Sequence, residues 1–197
     1  MIYRYSSTKR FLAIVCFMLL GILPIFAQYS VPSTLVASFE RPGFMTSAGQ
    51  TSDAAIVKVL ANTRLKLGLE YDIAAKPETI ANAKTLVLVL GVSNKGLGAA
   101  GLSIEQEIER VQSIVAEALK NNTRIISIHT GGTARRGEAS NQVIELCVPA
   151  SDVVIVVEGG NNDGFFTSLC EENNVFLVQV PSIAEAGNVL KSLFEAQ

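Results

Sequence analysis

The feature that most constrains the fold is a run of six residues, Thr85 to Leu90, that ends at Gly91. After the threonine it contains only leucine and valine, with no polar residue between them. Such an unbroken apolar run is typical of a strand that is buried on both faces of a parallel sheet. Similar short runs recur at residues 124–129, 153–157 and 175–180. Because a sheet buried on both faces needs helices above and below it, this pattern indicates an α/β protein.

Helical patterns separate these runs. Between Ser103 and Leu119, apolar residues recur at steps of three and four behind a serine that can cap the helix. Other helices are predicted at residues 140–147, 164–173 and 184–194 and after Thr51 or Ser52. The pattern also predicts a weak strand at residues 44–47, a short strand at residues 71–74 and a loop at residues 91–101. The alternation predicts a single doubly wound, mostly parallel sheet of five or six strands with helices on both faces, Rossmann-like or flavodoxin-like. The sequence leaves the strand order open.

The N-terminus has the order of a secretory signal peptide: a basic head, an apolar run over residues 11–26, and the small residue Ala27. The alternative is a membrane anchor that is never removed. The apolar run is shorter than the ~20 residues of a bilayer span, and Pro24 interrupts it near its end. We therefore expect a signal peptide at residues 1–27, export to the periplasm or the extracellular space, and one α/β domain over residues 28–197.

The charge of the expected mature chain bears on its partners. Residues 1–27 contain three of the sixteen basic residues and none of the eighteen acidic residues, so residues 28–197 carry a net charge of −5. An acidic domain is a poor partner for nucleic acid, which needs a concentrated basic surface. No second apolar stretch approaches the length of a membrane span. We expect no nucleic-acid partner and no membrane insertion after cleavage; a protein partner stays open.

Cofactor and metal motifs are weak. Residues 96–101 match the G-x-G-x-x-G pattern of dinucleotide sites, but five residues separate Leu90 from Gly96, and the acid expected about twenty positions further on is absent. No group of His and Cys has the spacing of a zinc site. The sequence therefore predicts no cofactor and no metal. Cys147 and Cys170 fit either a disulfide in an oxidising compartment or two buried free thiols.

Polar and glycine-rich segments follow the predicted strands at residues 47–50, 91–101, 129–137 and 158–164. Open parallel sheets bind ligands beyond the carboxyl ends of the strands, near the point where the strand order reverses. The candidate ligand-binding residues are therefore Ser47, Gln50, Ser93, Asn94, Lys95, Gly98, His129, Arg135, Arg136 and Asp163. The alternative is that the glycines only allow tight turns, and that the two arginines pair with Glu138 or Asp163 and hold the loops together.

Three hypotheses for the function remain open. In the first, the crevice binds a small anionic ligand, whose charge Arg135 and Arg136 fix and to which helix N-termini donate. In the second, the same crevice belongs to an extracytoplasmic hydrolase or transferase, with His129 as the base and Asp163 as its partner or a second acid. In the third, the domain is a protein-interaction module without a small ligand.

Four motifs carry a resemblance to a known family. They are residues 45–54 (MTSAGQTSDA), 93–101 (SNKGLGAAG), 131–137 (GGTARRG) and 163–166 (DGFF). With these motifs the chain resembles a family of secreted bacterial proteins, domain of unknown function 6305. The resemblance implies a signal peptide and an α/β domain over nearly all of the mature chain, and it implies no particular activity.

Overall fold

The structure is a computed structural model that describes residues 31–195, so the predicted signal peptide at residues 1–27 lies outside it. The strands are β1 (Gly43–Ala48), β2 (Glu70–Tyr71), β3 (Thr85–Leu90), β4 (Arg124–His129), β5 (Val153–Val157) and β6 (Phe176–Val180). The α-helices are α1 (Asp53–Lys58), α2 (Asn94–Ala100), α3 (Ile104–Lys120), α4 (Glu138–Cys147), α5 (Phe165–Asn173) and α6 (Ile183–Phe194). A π-helical segment, Val59–Arg64, continues α1.

All six strands are parallel and lie in the order β2-β1-β3-β4-β5-β6. This confirms the predicted doubly wound α/β fold and gives the strand order of flavodoxin-type sheets, extended by one strand. The chain passes from β1 outward to β2 and then returns to the other side of β1 to form β3. The order therefore reverses between β1 and β3, whose paired residues run from Gly43 and Thr85 to Ala48 and Leu90.

Strand β3 shows why the sequence specifies helices on both faces. Every residue from Leu86 to Leu90 is fully buried. Its valines point to the core that α1 and α6 cover, and its leucines point to the core that α3, α4 and α5 cover. The alternation of side chains along the strand thus divides one apolar run between two hydrophobic layers.

Most predicted boundaries agree with the structure, and two segments differ. Strand β2 has only two residues because the Asp72 carboxylate accepts a hydrogen bond from Ala74 N at 3.0 Å, which turns the chain away from the sheet edge. The loop predicted at residues 91–101 contains helix α2, which begins where Ser93 Oγ accepts a hydrogen bond from Gly96 N at 3.1 Å. In the described part of the chain no helix is long and apolar enough to cross a membrane.

Candidate functional site

The candidate residues come together at the carboxyl edge of the sheet, as the topology requires. The loops after β1, β3, β4 and β5 all open there, and helices α1, α2, α4 and α5 begin in them. The polar groups of this edge fall into two classes. Some already form hydrogen bonds within the protein, and others have donors or acceptors that are still free to bind a ligand.

The loop after β1 belongs to the first class. Ser47 is fully buried, and its Oγ accepts a hydrogen bond from Thr51 N at 2.8 Å. Gln50 is also buried, and its side chain donates to Glu107 Oε2 at 3.0 Å. The other oxygen of Glu107 accepts from Gly49 N at 2.8 Å. Ser47 and Gln50 therefore hold the loop in place, and their polar groups do not face a ligand.

Glu107 is the centre of an ion pair that the sequence analysis missed. Arg110 donates to both Glu107 oxygens at 2.8 Å, from Nε and from Nη2, and its Nη1 donates to Ala75 O at 2.9 Å. The Glu107 side chain has no exposed surface. The sequence pattern could have indicated this pair, because Glu107 lies four residues before Val111 and thus on the apolar face of α3. An acid on that face needs a buried partner.

The loops after β1 and β3 are also joined directly. Ser93 N donates to Gly49 O at 2.9 Å, and Gly91 N donates to Ala48 O at 3.0 Å. A Cβ at Gly96 would collide with the Gln50 carbonyl, so only glycine allows α2 to lie against the β1 loop. The base of the crevice at the strand-order reversal is therefore filled by the protein itself.

His129 lies beneath this edge, with no exposed surface. Its Nδ1 is 3.2 Å from Leu90 O, its Nε2 is 3.2 Å from Gly132 O, and its ring centroid is 5.2 Å from that of Phe166. Burial lowers the pKa of His129, although the two carbonyl oxygens act in the opposite direction. The ring is therefore neutral at pH 7 and donates to one of the two carbonyls. This environment suits a structural histidine and gives no support to a base that meets a substrate.

Arg136 is fully engaged within the protein. Its Nε donates to Asn141 Oδ1 at 2.9 Å, its Nη1 donates to Gly160 O at 2.7 Å, and its Nη2 donates to Asp163 Oδ2 at 3.1 Å. The guanidinium also lies 4.3 Å from the centroid of the Phe165 ring. The hydrogen bonds from Arg136 hold the pKa of the Asp163 carboxyl below its ordinary value. Arg136 and Asp163 thus join the loops after β4 and β5, as the structural alternative anticipated.

Arg135 differs from its neighbour. Its Nη2 donates to Ser52 Oγ at 3.2 Å, and its Nε lies 3.7 Å from Asp53 Oδ1, which is too long for a hydrogen bond. Within residues 31–195 its Nη1 has no hydrogen-bond acceptor, and the side chain is 32% exposed. Its stem lies against Gly131, where a Cβ would collide with it. Arg135 therefore keeps free donors and reaches from the end of β4 to the start of α1.

An open groove of about 390 Å³ lies between the loop after β3 and the start of α4, lined by residues 92–95 and 135–140. Val92 N donates to Ser140 Oγ at 2.9 Å and joins its two walls. Helix α4 begins after Gly137 with no side chain capping it, so N–H groups of its first turn are left without an intrahelical acceptor. Lys95 and Arg135 add positive charge beside these N–H groups, and Glu138 is the one acidic residue in the lining.

Two other predicted elements lie apart from the groove contacts. Gly98 is exposed on α2, and its neighbourhood is open. The N-terminus of α3 is closed by its own capping box, in which Gln106 N donates to Ser103 Oγ at 3.2 Å and Ser103 N donates to Gln106 Oε1 at 2.9 Å. Over residues 31–195 no group of three or more His, Cys, Asp or Glu side chains is arranged to hold a metal ion.

The sequence matches a known protein family over most of its length. The family model for Domain of unknown function (DUF6305) matches residues 40–194, a span that includes all six strands and all six α-helices. The chain belongs to this family. No curated protein matches the sequence. The DUF6305 match also contains every candidate ligand-binding residue, from Ser47 to Asp163.

Within the DUF6305 domain the predicted residues therefore separate into groups. Ser93, Asn94, Lys95, Arg135 and Arg136 line one groove, although Arg136 is already engaged. Ser47, Gln50 and His129 are buried and do not line it, Asp163 pairs with Arg136, and Gly98 lies on the outer surface of α2. Asp53, which the sequence analysis did not single out, is the acid that faces Arg135.

Proposed function

We propose that this DUF6305 domain binds a small anionic molecule in the groove between α2 and α4. The observation that carries the proposal is Arg135, a guanidinium with free donors beside the uncapped N-terminus of a ten-residue helix. Free arginine donors and free helix N–H groups are both suited to carboxylate, sulfate or phosphate oxygens. The volume of about 390 Å³ is within the range of small-molecule sites.

The charges around the groove support an anion over a cation or a neutral ligand. Lys95 is exposed on the α2 wall, and in the described part of the chain it forms no ion pair. Glu138 lies at the first turn of α4, where the helix dipole favours negative charge. An anion that binds there gains the same dipole interaction and is also attracted by the positive charges of Lys95 and Arg135.

Binding is better supported than catalysis. An enzyme at this edge would need a proton acceptor within reach of the groove. His129, the residue best suited by type, is enclosed by Phe166 and two backbone carbonyls, and Asp163 is committed to Arg136. We therefore place the enzyme second, as a hydrolase or transferase in which Glu138, the acidic residue of the groove lining, would have to act as the base in place of His129.

Two adjacent arginines provide a matched test. Arg135→Ala and Arg136→Ala remove the same charge from the same loop. Thermal unfolding of each variant and of the wild type is measured without a probe and with phosphate, sulfate, acetate, citrate, glucose 6-phosphate or AMP. A ligand at one hundred times its dissociation constant stabilises the fold by about 2.7 kcal/mol, which corresponds to about 5–10 °C in Tm.

We expect Arg135→Ala to abolish the ligand shift while the Tm without ligand changes by no more than about 2 °C. Arg136→Ala, in contrast, should lower the Tm without ligand and keep a ligand shift. An anion shift that survives in Arg135→Ala would contradict the proposed site. The absence of a shift from every probe would favour the interaction module.

We also propose that residues 1–27 direct export and are then removed. The basic, apolar and small residues of that segment support the proposal. Intact mass and N-terminal sequencing of the protein recovered from the producing cell should show a chain that begins at Gln28. A retained N-terminus in the membrane fraction would instead indicate the uncleaved anchor.

A further inference from the structure

The two edges of the sheet differ in length. Strand β2 has two residues and ends at the turn that Asp72 forms. Strand β6 has five residues, Phe176–Val180, and each is paired with a residue of β5. No strand follows β6 in the sheet of residues 31–195. An edge strand directs the N–H and C=O groups of alternate residues away from the sheet, so β6 offers backbone groups along about 17 Å to another chain.

Strand β6 also lacks the features that protect an edge. Edge strands are commonly shielded by charged side chains, by proline or by a bulge. The strand sequence FLVQV contains no charged residue and no proline, and its pairing with β5 continues without a bulge from Phe176 to Val180. Phe176 is 47% exposed and lies on the face of the strand that also carries Val178 and Val180. An open edge with an exposed aromatic side chain beside it indicates a docking surface for an extended chain.

The charge around β6 has one sign. Residues 137–190, which include α4, β5, α5, β6 and most of α6, contain eight acidic residues and no lysine or arginine. Residues 28–136, in contrast, carry a net charge of +3. The β6 side of the sheet therefore presents a negative electrostatic field to an approaching partner.

Two exposed glutamates lie at the amino end of β6. Glu171 and Glu172 belong to the last turn of α5. The chain passes directly from this turn into the strand, because Val175 N donates to Cys170 O at 2.9 Å. Within residues 31–195 neither glutamate forms an ion pair.

Two more exposed glutamates lie at the carboxyl end of β6. Glu158 N donates to Val180 O at 2.8 Å, and Glu185 is in the first turn of α6. In the described part of the chain neither of these carboxylates pairs with a lysine or an arginine. Both ends of the free edge thus carry negative charge that the cations of a partner can neutralise.

We propose that the free edge of β6 binds an extended, basic segment of a partner protein, which adds a seventh strand to the sheet. The backbone of this segment pairs with the outward N–H and C=O groups of β6, and one of its apolar side chains covers Phe176. Lysine or arginine residues of the segment meet the glutamates at the two ends of β6. Strand β6 lines no part of the groove between α2 and α4, so this inference is independent of the proposed anion site.

A second copy of this chain fits the edge less well. Two β6 strands that pair antiparallel about a two-fold axis place the amino end of each beside the carboxyl end of the other. The glutamates at one end then lie beside those at the other end, and residues 137–190 contain no lysine or arginine to separate them. Like charges that face each other across a strand pair disfavour the pairing, whereas a basic segment removes the repulsion.

The test measures the fluorescence anisotropy of three labelled peptides with the purified protein. The lysines of KTVTVTK are about 20 Å apart in an extended chain, enough to reach both ends of β6. ETVTVTE reverses the charge, and KTPTPTK keeps the charge but lacks two backbone donors. KTVTVTK should bind saturably and about tenfold or more tightly than either control, and its affinity should fall as the salt concentration rises.

Charge reversal at the two ends of β6 locates the bound peptide. Glu158→Lys combined with Glu171→Lys should weaken KTVTVTK binding about tenfold or more, because each change places a cation beside a lysine of the peptide. Phe176→Lys should weaken binding as well. Glu109→Lys combined with Glu145→Lys makes the same change in charge at exposed positions of α3 and α4 and should leave the affinity within about twofold.

Four results would overturn the proposal. The absence of saturable KTVTVTK binding up to ~1 mM would show that the edge accepts no basic strand. Binding of KTPTPTK as tight as that of KTVTVTK would show charge attraction without strand addition. An equal loss of affinity in the two pairs of charge-reversal variants would place the peptide elsewhere. A dimer in light scattering that Phe176→Lys separates into monomers would show that a second copy occupies the edge instead.

Discussion

The buried ion pair between Glu107 and Arg110 gives the sharpest stability prediction, because it decides whether the loop after β1 is structural. Glu107→Gln keeps the size of the side chain and removes its charge. The carboxylate accepts hydrogen bonds from Gly49 N, Gln50 Nε2 and two Arg110 nitrogens, all at 2.8–3.0 Å. The amide that replaces it offers one acceptor oxygen, and its NH₂ group meets donors.

The expected loss of stability in Glu107→Gln follows from the burial of the ion pair. The Glu107 side chain has no exposed surface and the Arg110 side chain is 12% exposed, so the variant leaves a largely buried guanidinium without its counter-charge. Breaking one side of a buried pair costs about 3–5 kcal/mol. For a domain of this size 1 kcal/mol corresponds to about 2–4 °C, so the expected loss in Tm is about 6–20 °C.

Urea and thermal unfolding, followed by circular dichroism, measure this loss. Glu109→Gln is the matched control, since it makes the same change on the exposed side of the same helix and should alter stability by no more than about 0.5 kcal/mol. A Glu107→Gln variant as stable as the Glu109→Gln control would refute the reasoning. The contact with Glu107 would then not hold Gln50 in place, and its side chain would be free to face a ligand.

Further predictions concern the histidine and the cysteines. Burial lowers the pKa of His129, so the histidine takes up a proton at a higher pH in the unfolded chain than in the folded one. Stability should therefore fall as the pH drops below about 6.5, by at most about 1.4 kcal/mol per pH unit, until the folded histidine is protonated too. In urea titrations between pH 7.5 and 5.5, His129→Gln should flatten this slope, since the chain has one histidine; an unchanged slope would show that another group titrates. The thiols of Cys147 and Cys170 are free and buried, and burial raises the pKa of Cys170 to about 11 and that of Cys147 still further. Alkylation followed by peptide mapping should therefore label both cysteines only after denaturation. If the folded protein were labelled as fast as an exposed thiol, or if the two cysteines formed a disulfide, their buried and free placement would be contradicted.

Much of the fold was predictable because it depends on local patterns. Strands β3, β4 and β5 have the predicted boundaries. Each is a central strand that is buried on both faces, so the ends of its apolar run in the sequence mark the ends of the strand. The edge strand β2 begins one residue before the predicted strand at residues 71–74 and ends three residues before it, because its extent depends on the turn at Asp72 more than on the apolar pattern. Helix α2 was predicted as a loop because it contains two glycines, and the close approach to Gln50 that one of them, Gly96, allows is revealed only by the tertiary structure.

The sequence predicts which edge of the sheet holds the candidate residues, but not what their side chains contact. The polar loops identified the carboxyl edge, because that edge follows from a parallel topology. Sequence could not show that Arg136 is saturated and that Arg135 is free, since the difference depends on Gly160, Asp163 and Asn141 from other loops and from α4. The buried roles of Gln50 and Glu107 likewise depend on a contact across 57 positions of the chain.

The most direct test of the anion site is a titration of the ¹⁵N-labelled protein with inorganic phosphate, followed by two-dimensional NMR of the backbone amides and the arginine Nε groups. The account predicts saturable shifts for the first-turn amides of α4, for residues 93–95 and for Arg135 Nε, with little change at Arg136 Nε. Shifts that do not saturate, or that centre on the opposite edge of the sheet around Asn122 and Asp152, would contradict it.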